Sequence, residues 1–193
     1  MFGDFVVEAV DHMAQNGVTV HFVAKPRYNN CTGFFCFPNF HVAAQREYWQ
    51  EIFVHEYCHF LQHLDEQAGK PVKYPLMKDQ SYVDWWDWLD GKIDLDARKV
   101  RRIRRGIQQM ERDCDRRAIE LIKKRGLELD LDHYIRRANV YHLFYCVAEK
   151  HRKWYRIPPY DMQELMEMVP NKLLRSFDKV SPEFEAIVLS HCL

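Results

Sequence analysis

The stretch F-V-H-E-Y-C-H-F-L-Q-H, residues 53–63, constrains this chain more than any other. His55 and His59 stand four residues apart with Glu56 beside the first. The apolar pattern of Ile52, Phe53, Phe60, Leu61 and Leu64 runs through them with no Pro or Gly before Gly69. Such a run predicts a helix, starting near Arg46 or Glu47 and ending about Gln67. On a helix, positions i and i+4 lie one turn apart on the same face, so the two imidazoles can converge on one metal ion. Glu56 then lies beside the metal rather than on it, where a general base for an attacking water belongs. Two nitrogens leave a zinc site incomplete, so a third ligand is expected elsewhere in the chain.

That ligand is sought on a second amphipathic helix, predicted over 94–124, where Val100, Ile103, Ile107, Met110, Cys114, Ala118 and Leu121 recur at three- and four-residue intervals. Within it Glu111 and Asp115 are one turn apart. Glu111 is the candidate ligand, completing a His-His-Glu set. Asp115 is placed to accept the remaining N–H of a ligating histidine and fix its tautomer. Two competitors fit less well. Asp65 follows His59 by six residues, but reaching the metal from there needs a bend that Gln62, standing where a glycine would be required, does not supply. His63 lies one turn past His59, and three residues along one straight helix cannot close around the same ion.

The remainder reads as one α+β domain of 193 residues, predominantly helical. A first helix is expected over 4–16 and a β-branched strand over 18–24. Two further strands, F-F-C-F-P and F-H-V-A-A-Q, are joined by a turn at Pro38-Asn39. This makes a small antiparallel or mixed sheet of about three strands packed on the motif helix. Residues 69–92 form an aromatic-rich insert carrying Trp85, Trp86 and Trp88, which plug a core edge or, over 74–89, wall or cover a cleft. The C-terminal part, 131–193, is helical: 131–155 up to Pro158-Pro159, then 161–168, 170–177 and a final helix opened by S-P-E.

Formal net charge is zero with 47% apolar and 14% aromatic residues, so no global field draws the chain to nucleic acid or membrane. The run R-K-V-R-R-I-R-R at 98–105 is basic, yet such runs are more often a solvated helix face. The N-terminus carries acids rather than the positive charge of a signal peptide, and no apolar run reaches membrane-spanning length, which leads to a cytoplasmic expectation. Six irregularly spaced cysteines read as free thiols. Cys31 and Cys36 lack a matching second pair for a zinc knuckle, and Cys58 reads as a small packing residue.

On His55-Glu56-x-x-His59 followed by Glu111-x-x-x-Asp115-x-x-Ala118, the chain resembles gluzincin-type zinc metallopeptidases, both the thermolysin-like group and the ImmA/IrrE type. The order of helix, strand, glycine loop at Gly33, strand and motif helix also resembles the latter. The resemblance covers roughly 4–67 and 94–125. The departure is the 51 residues between His59 and Glu111, long for the compact ImmA/IrrE type. It implies a zincin-like fold and one Zn2+ per chain held by His55, His59 and Glu111. It also implies peptide-bond hydrolysis of a peptide or protein substrate, with Glu56 as general base. An extended substrate would pair along the strand at 40–45. The donor that stabilises the transition state is left open among His133, Tyr134, Tyr141, His142, His151 and Tyr155. Two other function classes stand beside it: a non-catalytic or regulatory zinc-fold protein binding nucleic acid or a partner, and a structural component of a larger assembly.

Overall fold

Of this chain the computed structural model describes residues 1–25, 31–70 and 80–193. The fold is α+β and predominantly helical, with one three-stranded mixed sheet among the described residues. The chain divides into two compact units, Met1–Pro71 with Cys114–Leu131, and Val72–Asp113 with Asp132–Leu193.

The first unit is built on strands β1 (Thr19–Val23), β2 (Gly33–Cys36) and β3 (Asn39–Ala43), in the order β1-β3-β2. β1 runs parallel to β3, with Thr19 opposite Asn39, and β2 runs antiparallel to it, with Gly33 opposite Val42. The β2–β3 turn is Phe37-Pro38, one residue earlier than the sequence suggests, because Cys36 already pairs with Asn39. Helices α1 (Phe2–Gln15) and α2 (Trp49–Gln67) pack on the sheet. Phe40, Val42, Phe53, Val54 and Phe60 are fully buried between these layers. Each such side chain taken from water contributes about 1.5–3 kcal/mol. α2 starts at Trp49 rather than at Arg46 because Tyr48 adopts a left-handed conformation, φ 52°, that no helix continues through.

Because β3 lies between β1 and β2, its two edges are used. The expectation that the strand before the motif helix offers its edge to a substrate is therefore corrected: β2 and β1 hold the outer positions.

α4 (Ala97–Arg125) runs from the second unit into the first. Its apolar stripe is buried throughout, ending on Ile122 rather than Leu121. Gly126, at φ 58°, terminates it, and the Leu127 N–H returns to the Ile122 carbonyl.

The second unit packs α3 (Gln80–Leu89), the first half of α4, α5 (Leu131–His151), α6 (Gln163–Glu167) and α7 (Pro182–His191) around one core. Trp85 and Trp88 belong to that core. The residues at 71–79, the first part of the aromatic insert, lie outside the described residues, as do 26–30. α5 stops at His151, short of Pro158. Arg152 takes φ 50° and its guanidinium bonds the Trp88 and Ile93 carbonyls. The stretch 170–177 is not helical. Its carbonyls are taken by side chains of α4 and α5: Asn139 bonds those of Pro170 and Lys172, Arg112 that of Leu174, and Cys146 that of Phe177. Ser181 caps α7 by accepting from the Phe184 N–H, with Pro182 at the first helical position.

Candidate metal centre

The motif lies wholly within α2 and places its two histidines as the spacing requires. His55 Nε2 and His59 Nε2 approach to 3.1 Å. Their other ring nitrogens point away, each to a different partner. His55 Nδ1 is 2.9 Å from Asp115 Oδ1, and His59 Nδ1 is 2.8 Å from Gln62 Oε1. A carboxylate only accepts, so Asp115 holds the Nδ1–H tautomer of His55 and leaves a lone pair on Nε2. The Gln62 oxygen does the same for His59. Two lone pairs at 3.1 Å repel unless a cation lies against both. Nitrogens about 2.0–2.1 Å from a tetrahedral zinc are themselves about 3.3 Å apart, so the pair fits a metal ion.

Most side chains around this pair are buried, while His55 itself is half-buried. His59, Gln62 and Asp115 are buried, and Glu56 is 8% exposed. Gly33 of β2 passes so close to α2 that a Cβ there would stand 2.4 Å from Ile52 Cγ2 and 3.1 Å from Glu56 Cγ. β2 thereby runs directly beside the candidate base.

Cys114 is a third potential ligand, and His55, His59 and Cys114 form a group that could hold a metal ion, with ligand atoms all within 4.8 Å of one another. Its orientation argues for a supporting part. The thiol donates to the His55 carbonyl at 3.0 Å and lies 3.8 Å from His55 Nδ1, the nitrogen already committed to Asp115. Sequence reasoning gave neither Cys114 nor Gln62 a place here. For Gln62 the sequence shows only a polar residue three positions after His59, and its burial against the ring comes from the fold.

Asp65 is bound by Lys70 and by Arg117, whose Nη1 is 2.7 Å away. Hydrogen bonds from these two hold its carboxyl below its ordinary range. His63 stacks on Phe37, ring centroids 4.9 Å apart. Neither joins the histidine pair.

Glu111 is 5% exposed and precedes Asp115 by one turn on α4, on the second unit's side of the division. Its negative field acts on Tyr141 and Tyr145 of the same unit, whose hydroxyls bond each other at 2.9 Å. Burial, and then such neighbouring charge, pushes both phenols well above their ordinary value. Of the other candidate transition-state donors, Tyr155 bonds Tyr160, His151 bonds Glu185 at 2.6 Å, and His142 is fully buried and stacks on Phe177. Tyr134 is buried and His133 half-buried.

The basic run at 98–105 is largely neutralised within its own unit. Lys99 pairs with Asp84, Arg101 and the buried Arg104 with Glu149, and Arg104 and Arg105 with Asp178. No helix among the described residues is long and apolar enough to cross a membrane. No family model, curated protein or solved structure matches this chain.

Proposed function

We propose that this protein is a zinc-dependent peptidase of the gluzincin type. One observation carries the reading: two histidine Nε2 atoms converge at 3.1 Å, each ring oriented from behind by an acceptor, with a nearly buried glutamate beside them. A purely structural site has no use for that glutamate.

In this reading His55 and His59 are two ligands and Glu111 the third. Asp115 faces His55, and Glu111 stands one turn before Asp115 on the same helix. Zinc, when bound, supplies Lewis acidity toward a water and toward the scissile carbonyl. Glu56 accepts the proton of the attacking water and passes it to the leaving amine. Asp115 and Gln62 keep both imidazoles in the ligating tautomer. An extended peptide lies along the outer edge of β2, which no strand among the described residues covers and which Gly33 brings against Glu56.

A second reading is favoured by the proximity of Cys114, namely a non-catalytic His-His-Cys site. Zinc content measured by mass spectrometry on wild type, Glu111→Ala and Cys114→Ser separates them. The peptidase reading expects about one zinc per chain, strongly reduced by Glu111→Ala and retained by Cys114→Ser. It also expects peptide cleavage that Glu56→Gln abolishes with the metal still in place. The opposite pattern of zinc loss supports the cysteine site, and no cleavage by zinc-loaded wild type across a diverse peptide library defeats the peptidase reading.

A further inference from the structure

β2 and α2 run side by side in the same direction. Gly33 packs on Ile52 and Glu56, Phe35 contacts Phe60 and His63, and Phe37 at the hairpin tip stacks on His63 with an interplanar angle of 20°. The stripe Glu56, His59, His63 therefore carries the strand from the candidate base to an aromatic platform. Seven residues of helix at 1.5 Å each put that platform about 10 Å from Glu56, the length of about three residues of extended chain.

The pairing pattern also says which backbone groups are available. The Thr32 carbonyl accepts from the Ala43 N–H, so it faces β3. Alternation then turns the N–H and C=O of Gly33 and Phe35 to the outer edge. Among the described residues the Gly33 carbonyl accepts a weak thiol donor there, from Cys31. A strand added antiparallel along that edge has side chains opposite Gly33, Phe35 and Phe37 on the same face as theirs, toward α2. Phe37 is 51% exposed although its ring is held in a stack, so the platform presents apolar surface at the point such a strand passes.

We propose that Phe37 and His63 form a specificity-determining subsite for a large apolar or aromatic side chain about three residues on the amino side of the bond cleaved. The inference rests on the peptidase reading for the word "cleaved", and on β2, Phe37 and His63 for the rest. Antiparallel addition sets the amino side, because a chain running opposite to β2 passes the hairpin tip before it reaches Gly33.

The test uses the zinc-loaded full chain and two peptides differing only at that position, Phe or Gly, embedded in a library that varies two to four residues before the bond. Wild type is expected to cleave the Phe peptide with about 10-fold higher kcat/KM than the Gly peptide. Phe37→Ser should collapse that ratio toward one, and Phe37→Leu should keep most of it, which separates lost contact from lost folding. In parallel, Glu56→Gln protein should bind the Phe peptide about 10-fold tighter than the Gly peptide, with the preference gone in the Glu56→Gln, Phe37→Ser double variant. Cleavage with no preference at those positions, or a preference that survives Phe37→Ser, overturns the subsite and leaves the peptidase reading standing. Selective binding by Glu56→Gln without cleavage by wild type overturns the peptidase reading and leaves the subsite standing. Absence of both defeats the two together. A sedimenting mass of two chains that Phe37→Ser halves would assign the platform to a second copy and also overturn the proposal.

Discussion

Gln62 and Asp115 do for His59 and His55 what neither imidazole does for itself, since a neutral ring exchanges its proton between two nitrogens unless a partner selects one. Replacing Asp115 by Ala should therefore weaken zinc about 10- to 100-fold while Glu56 and the histidines stay in the chain, measured by competition with a chelating dye. An affinity equal to wild type would remove Asp115 from the site. Gly33 makes a different residue-scale demand. A methyl group there meets the β-branched Ile52 at 2.4 Å, and that side chain has no free rotamer end to move aside. Gly33→Ala is expected to cost about 1–3 kcal/mol of stability in urea unfolding. Adding Ile52→Leu, which removes the obstructing branch, should recover part of it. The histidine pair was legible at this scale because four-residue spacing on a helix is fixed by backbone geometry. Gln62, Cys114 and the close passage of Gly33 were not, because each depends on which atoms another element brings near.

At the scale of elements, α4 shows how one helix serves two purposes. Beside its apolar stripe lies a second buried line, Arg104, Gln108, Glu111 and Asp115, at four-, three- and four-residue steps. The sequence shows that spacing, but a row of charged residues is also what a solvated face looks like. Only packing against α5 and the 178 region buries Arg104 on Glu149 and Asp178. Arg104→Ala should then destabilise by about 3 kcal/mol, far more than Arg102→Ala on the exposed face, as read by thermal unfolding. α7 carries a pH dependence. Hydrogen bonds from Lys150 and then His151 hold the Glu185 carboxyl below its ordinary range. A carboxyl bound less readily by protons when folded stabilises above its unfolded value, about 4.3, and that contribution disappears as pH falls through the lower folded value. Amide exchange within α7 should accelerate between pH 5 and pH 3 relative to α5, by an amount of about 1 kcal/mol or less. Glu185→Gln should flatten that difference. The segment 170–177 was expected to be helical from its composition. Side chains of Asn139, Arg112 and Cys146 compete for its carbonyls and win.

For the whole molecule, metal binding is expected to register as stability. A ligand that binds only the folded chain adds about 2.7 kcal/mol at a hundred times its dissociation constant. For a chain of this length that corresponds to a rise in Tm of about 5–10 °C on adding zinc to stripped protein. His59→Ala should abolish the rise, and a zinc-independent Tm in wild type would count against the centre. What the sequence determined by itself was local and periodic. The α+β class with three strands before the motif helix, the existence of α2, α4 and α5, and the pairing of His55 with His59 all follow from hydrophobic spacing and turn residues. Strand order was beyond it. β3 lies centrally because β1 and β2 both pair with it, a choice made by long-range backbone hydrogen bonds that any β-patterned stretch could satisfy in several ways. The tertiary structure alone decided that β2 holds an outer edge beside Glu56, that the Cys114 thiol reaches the His55 carbonyl, and that Arg104 of the basic run is buried on Glu149 and Asp178. Each of these is a contact between residues far apart in the chain, and such contacts leave no periodic trace in the sequence.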